Sequence, residues 1–308
     1  MITIQQYVRP KTLEEAYTLN QNKRNRIVGG MLWLKMSNAR VNTAIDLCDL
    51  GLDAIEETNE AFHIGAMVSL RQIELHEGLN RYTNGAVARS VRDIVGTQFR
   101  NMATVGGSIF GRFGFSDVLT LFLALDTYVE LYHGGTVPLA EFVHMKRDRD
   151  ILTGITVRKQ PIAVSYLTVR NARTDFPVIA CALSKLNGKY QASIGARPAR
   201  AMLLHDEEGI LNGELTEEKI NAFAEYVAAH TPTASNVRAG AAFRTHLIGV
   251  LCRRALRGPR QSNAKLYPSM SVAMTYPFRR YHPSVRHRSR QSPGKRPNAW
   301  SKPLKARI

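Results

Sequence analysis

Two glycine pairs and one acidic side chain carry the clearest chemistry in the sequence. Gly29-Gly30 ends the apolar run Ile27-Val28 and leads into Met31-Leu32-Trp33-Leu34. Gly106-Gly107 sits between small hydroxyl residues, in Thr104-Val105-Gly106-Gly107-Ser108, with Asp117 beyond it. Glycine has no Cβ, so the backbone there can turn sharply and approach a ligand closely. Successive free N–H groups in such a turn form a concavity for anions. Thr104 and Ser108 can add hydroxyl donors. Two such nests converging on one diphosphate would bind it without a cationic side chain, and Asp117 can accept from ribose hydroxyls. Each feature also has a plainer reading. Either glycine pair suits a tight turn between packed elements, and Asp117 suits an N-cap for a helix starting at Val118.

Other reactive patterns are missing from the sequence. Neither pair fits G-x-G-x-x-G, and no Walker lysine follows. No Ser-His-Asp or Cys-His constellation is evident. His63, His76, His133 and His144 read as solvated or structural histidines. Cys48, Cys181 and Cys252 are far apart, which argues against a disulfide framework and suits a reducing cytoplasm. Their spacing also argues against a structural zinc or an iron–sulfur cluster carried by this chain.

The elements that must position these residues mix strands and helices. Thr12-Leu13-Glu14-Glu15 fits a capping box, followed by a helix. Ile27 to Leu34 reads as a buried strand, a Gly-Gly turn and the entry to a second helix. Ser69 opens a short helix to Leu75, and Ala86 to Phe99 reads as one longer helix. Tyr128–Leu131 and Ile151–Val157 read as strands, with a turn at His133-Gly134-Gly135-Thr136. Val164–Val169, Val178–Leu186, Tyr190–Ile194 and Ala201–Leu204 suggest an antiparallel meander. Asn187-Gly188 is its strongest turn signal. Helices are expected over Thr216–Ala229 and Ala241–Leu256. A boundary is placed near residue 160, giving segments 1–160, 161–256 and 257–308.

The last segment differs in kind. The chain of 308 residues has a net charge of +17, but 13 of its 42 Lys and Arg lie in 257–308, which has no Asp or Glu. Residues 1–256 therefore hold 29 basic and 25 acidic side chains, an ordinary balance. With seven prolines and no hydrophobic periodicity, 257–308 is expected to be a disordered basic tail. Three readings stay open for it: a basic arm for nucleic acid or an anionic surface, a plain solvated tail, and the product of a reading-frame shift after Leu256. No apolar run is long enough for a membrane span, and the N-terminus lacks a secretory pattern, so the expected location is the cytoplasm.

Taken together, Tyr7-Val8-Arg9-Pro10 with Thr12-Leu13-Glu14-Glu15-Ala16, then Val28-Gly29-Gly30, then Arg100-Asn101-Met102-Ala103-Thr104-Val105-Gly106-Gly107-Ser108 with Asp117 resemble the FAD-binding subunit of the xanthine dehydrogenase and carbon monoxide dehydrogenase family of molybdenum hydroxylases. Ile151-Leu152-Thr153-Gly154-Ile155, Val169-Arg170 with Asp175-Phe176-Pro177, and Thr245 to Leu256 resemble its later landmarks, so the likeness runs over residues 3–256. The resemblance implies an α+β chain. A two-part FAD-binding domain of vanillyl-alcohol-oxidase type would precede a smaller domain of antiparallel sheet plus helices. It implies the FAD pyrophosphate between the turns at 28–32 and 104–108, within the wider run Ile27 to Leu34. It implies the adenosine ribose at Asp117 and the isoalloxazine ring against Leu152. Partners would be a molybdopterin-binding large subunit and a small subunit with two-iron clusters, and electrons would pass through FAD to NAD or another acceptor.

The sequence departs from the family pattern at three places. Met31 and Leu32 replace small polar residues. Phe113-Gly114-Phe115-Ser116 precedes Asp117 where Ser-Pro is frequent. Thr168 replaces a lysine that in relatives favours the reduced flavin. The rival readings are a stand-alone flavin oxidase or reductase of the same fold, such as the UDP-N-acetylenolpyruvylglucosamine reductases, and a nucleic-acid-binding protein resting on 257–308 alone.

Overall fold

The computed structural model describes residues 1–258. Apart from Arg257 and Gly258, the basic tail expected over 257–308 lies outside the described residues.

The chain starts with β1 (Thr3–Val8), α1 (Leu13–Asn20), β2 (Arg26–Val28) and β3 (Arg40–Asp46). The three strands form a parallel sheet in the order β1-β3-β2. Thr12 caps α1 by accepting the Glu15 N–H at 3.1 Å. The Glu15 carboxylate reaches back one residue beyond the expected partner, to the Lys11 N–H at 2.8 Å. Ala16, Ile45, Leu47 and Ile151 make a small core here. The helix expected after Gly29-Gly30 is only one 3-10 turn, Leu34–Met36. Met31 adopts a φ of 56°, which turns the chain out of the helical path before it starts.

The middle of the chain runs β4 (Ile55–Glu57), β5 (Ala61–Gly65), α2 (Leu70–Leu75), α3 (Glu77–Tyr82), α4 (Ala86–Val91), α5 (Thr97–Met102), α6 (Val105–Phe110), α7 (Asp117–Leu123), β6 (Thr127–Leu131), β7 (Gly135–Pro138), α8 (Leu139–Phe142) and β8 (Leu152–Arg158). Its five strands form an antiparallel sheet in the order β4-β5-β8-β6-β7. Strand alternation sends Phe62, Ile64, Val129, Ile155 and Val157 inward, where they meet Leu119, Phe122 and other side chains of the helices in the largest core. Ser69 and Gln72 form a full capping box at α2.

The single helix expected over Ala86–Phe99 is two helices. Val95 takes a φ of 49° and Gly96 precedes α5. The break lets Arg100 fold back. Its Nε meets the Glu74 carboxylate at 2.8 Å, and one guanidinium nitrogen donates to the Ile94 carbonyl at 3.2 Å. Apolar spacing alone could not register that buried ion pair.

The last part contains β9 (Ile162–Arg170), β10 (Pro177–Leu186), β11 (Lys189–Gly195), β12 (Met202–His205), α9 (Glu217–His230) and α10 (Ala241–Leu256). The strands form the expected meander in the order β12-β11-β10-β9. Asn187 and Gly188, at φ 49° and 82°, make the turn between β10 and β11. α9 and α10 cover one face through Val178, Phe223, Val227 and Ile248. The other face contributes Val164, Tyr166, Ala180 and Ala182 to the largest core.

Candidate functional site

The loop after β2, the start of α6, the start of α7 and the β9–β10 connection enclose a cavity of about 520 Å3. It gathers Ile27, Val28, Gly29, Gly30, Met31, Leu32, Trp33, Leu34, Thr104, Gly107, Ser108 and Asp117. Val105, Gly106, Leu152 and Thr168 do not line it. Leu152 is 5% exposed within the largest core. Thr168 pairs with Ala180 in the β9–β10 ladder.

The two glycine pairs differ physically. Outside the strand ladders, no hydrogen bond among the described residues engages the N–H groups of Gly29, Gly30, Met31 or Leu32. Donors are therefore available along this loop. Gly30 is there for close approach, since a Cβ would collide with the Met102 carbonyl. A Cβ on Gly29 would stand 2.8 Å from Thr104 Oγ1.

The second pair is the first turn of a helix rather than a loop of free donors. Thr104 caps α6 by accepting the Gly107 N–H at 3.1 Å. The Val105 and Gly106 N–H groups donate to the Val68 and Ala66 carbonyls, each at 2.8 Å, and Ser108 N–H donates to Thr104 O at 3.1 Å. The sequence cue was sound for close packing and wrong for free donors, because glycine pairs suit either. A Cβ on Gly106 would meet Ala66 O at 2.7 Å and Ala66 Cβ at 2.8 Å. A Cβ on Gly107 would meet only Thr104 Oγ1, at 3.1 Å, and otherwise enter the cavity. The Ser108 hydroxyl turns inward to Thr104 O at 2.9 Å.

Asp117 does not cap α7. Ser116 does, accepting the Leu119 N–H at 3.1 Å while donating to Ser108 O at 2.9 Å. That pair of bonds ties the start of α7 to α6. Asp117 is 4% exposed, and its Oδ1 accepts from Tyr166 Oη and Arg170 Nη2, both at 2.6 Å. Burial pushes the Asp117 carboxyl above its ordinary value, against the Arg170 charge and the bonds from Arg170 and Tyr166. Burial also works against the Arg170 charge, but Asp117 outweighs it and raises that group. Burial, with Asp117 adding to it, sends the Tyr166 hydroxyl well above its ordinary value. The Arg170 guanidinium stands 2.6 Å from the carboxylate, the geometry of an ion pair. Arg170 Nε is buried without a partner among the described residues.

Sequence reasoning did not single out Tyr166 as a site residue. The available signal was strand period: Tyr166, Thr168 and Arg170 alternate onto one side of β9. It also missed an aromatic wall. The Trp33 ring stacks on Phe176 with centroids 5.3 Å apart, and Phe115 meets Phe176 at 4.4 Å.

This arrangement fits FAD. Residues 29–32, whose N–H groups have no acceptor outside the strand ladders among the described residues, line one cavity with Gly107 and the Asp117 carboxylate. The family described as FAD binding domain in molybdopterin dehydrogenase matches residues 3–159. The chain is 25% identical over 254 residues to the uncharacterized protein YgfM of Escherichia coli (strain K12), covering 80% of this chain and 93% of that one. It is 25% identical over 285 residues to the xanthine dehydrogenase FAD-binding subunit of Escherichia coli O157:H7, covering 83% and 96%. Among solved structures, carbon monoxide dehydrogenase from Hydrogenophaga pseudoflava superimposes with a TM-score of 0.74 at 23% identity, over 83% of this chain and 96% of that chain, a shared fold. No helix among the described residues is long and apolar enough to cross a membrane. The α+β chain, built around a cavity that suits FAD, belongs to the FAD-binding subunits of the molybdopterin dehydrogenases, the oxidoreductase family of xanthine and carbon monoxide dehydrogenases.

Proposed function

We propose that the cavity holds FAD, with the diphosphate against the 29–32 backbone and the start of α6, and the adenosine ribose at Asp117. The observation that carries this reading is the run of N–H groups from Gly29 to Leu32, without acceptors among the described residues outside the strand ladders, beside a cavity that Gly107 leaves open. Met31 and Leu32 offer no polar side chain, so backbone donors make the contact. Bound FAD supplies one- and two-electron redox chemistry. Residues 1–160 form the cofactor-holding part, and 161–256 form a second part that completes the cavity wall with Arg170 and Phe176. The proposed places of Leu152 against the isoalloxazine ring and Thr168 near its N1–C2 edge lie outside this cavity and rest on the family resemblance.

The subunit works within a heteromeric molybdenum hydroxylase, beside a molybdopterin-binding large subunit and a small subunit with two-iron clusters. It stands between those clusters and NAD or another acceptor. Support comes from the alignment with the xanthine dehydrogenase FAD-binding subunit, which spans 96% of that chain.

The test uses the purified full-length chain. It should be yellow, release FAD on denaturation, and rebind FAD after stripping. Gly107→Val should remain folded by circular dichroism and lose the flavin. A wild-type chain that neither carries nor binds FAD overturns the assignment, and a yellow Gly107→Val protein overturns the placement of the diphosphate.

A further inference from the structure

We infer that Tyr166 and Arg170 are positioning residues that aim Asp117 at the adenosine end of the cofactor, an inference that rests on the FAD reading above. Asp117 opens α7, while Tyr166 and Arg170 come from β9, the first strand of the following sheet. Both donate to the same oxygen, Oδ1, each at 2.6 Å. The other oxygen, Oδ2, receives no hydrogen bond among the described residues. Nor is it one of the buried atoms left without a partner, although Asp117 as a whole is 4% exposed. Oδ2 is therefore the part of the carboxylate that opens onto the cavity Asp117 lines.

Two donors on one oxygen fix the rotation of a carboxylate about its Cβ–Cγ bond. A carboxylate held this way presents one acceptor in one direction, which suits a single ribose hydroxyl. Tyr166 is 3% exposed and packs in the largest core, so its hydroxyl is held by the packing of its ring. The Arg170 side chain is 7% exposed and sets a positive charge against Asp117. Neither residue needs to touch the flavin ring for this role.

The role predicts selectivity between two probes that share the flavin and differ in the adenosine. Stripped full-length protein is titrated with FAD and with FMN, for wild type, Tyr166→Phe, Arg170→Lys, Arg170→Gln, Asp117→Asn and the Tyr166→Phe/Asp117→Asn double variant. Tyr166→Phe should weaken FAD about tenfold, the effect of one charge-assisted hydrogen bond, and leave FMN within about twofold. The double variant should bind FAD no more weakly than Asp117→Asn alone, because both changes act through one carboxylate. Arg170→Lys should retain more FAD affinity than Arg170→Gln. Thermal unfolding of each stripped variant reports folding separately. Unchanged FAD binding in Tyr166→Phe overturns the inference. So does an equal loss of FAD and FMN, which would mark the pair as fold-holding only. A wild-type protein that binds neither flavin overturns the FAD reading and this inference with it. FMN binding equal to FAD binding in wild type overturns the adenosine assignment of Asp117 and this inference with it, while the FAD reading stands.

Discussion

Gly107→Ala separates the cost of folding from the cost of binding. Gly107 lies in the first turn of α6 and has an ordinary helical φ, since it is absent from the positive-φ glycines. A Cβ there would meet one protein atom, Thr104 Oγ1, at 3.1 Å, a contact that a small shift of the hydroxyl relieves. Alanine in a helix is favoured over glycine by roughly 0.5–1 kcal/mol. The stripped variant should therefore be at least as stable as wild type, with a Tm higher by about 1–3 °C in a chain of this size. The same methyl enters the cavity where the diphosphate is placed. Displacing that group by even part of a methyl radius should weaken FAD about 100-fold, roughly 2.7 kcal/mol. The assay pairs differential scanning calorimetry of stripped protein with flavin fluorescence titration. Gly106→Ala is the control of opposite sign, because its Cβ would meet Ala66 O at 2.7 Å and Ala66 Cβ at 2.8 Å. It should lose stability by roughly 1–3 kcal/mol. The reasoning fails if Gly107→Ala binds FAD like wild type, or if it unfolds at a lower temperature than Gly106→Ala.

Three further outcomes can be measured, two of them from the geometry and the Thr168 one from the proposed family placement. Met31→Gly removes a side chain held at φ 56° and should stabilise the stripped protein by about 1 kcal/mol in urea unfolding, with FAD binding retained because the 31 N–H persists. A lower urea midpoint would count against strain at Met31. Thr168→Lys should raise the flavin midpoint potential, and an unchanged potentiometric midpoint refutes a role for this position near the ring. Burial works to raise the Glu74 carboxyl, but hydrogen bonds from Arg100 and Arg71 hold it below its ordinary value. Its stabilising contribution is therefore complete above the unfolded pKa of about 4.3 and lost as pH falls through the lower folded value. Glu74→Gln should flatten that acid limb in a pH series of melting temperatures, and an identical acid limb would refute it.

Local signals were legible wherever a residue type has one backbone or capping preference. Ser69, Thr216, and Asn187-Gly188 each mark the element the structure contains. α10 has the expected bounds, Ala241–Leu256. What could not be read depended on partners distant in sequence. The break at Val95 exists because Arg100 finds Glu74. The glycine pair at 106–107 starts a helix because the Ala66 and Val68 carbonyls wait beside it. At the site, the run from Ile27 to Leu34 and the residues Thr104, Gly107, Ser108 and Asp117 were visible as types and spacings. Tyr166 was not, because an inward tyrosine on a strand looks like any core aromatic until its hydroxyl is seen against Asp117. The aromatic wall was equally hidden, since Trp33, Phe115 and Phe176 come from three separate segments.

Trp33 gives the cavity an optical voice. The chain has two tryptophans, and this one is 42% exposed at the cavity, stacked on Phe176. Indole emission overlaps flavin absorption, and energy transfer between the two reaches well beyond contact distance, so a flavin ring beside this cavity would still quench Trp33. With FAD held as proposed, Trp33 emission should fall as stripped protein is titrated with the cofactor, a readout of occupancy that needs no label.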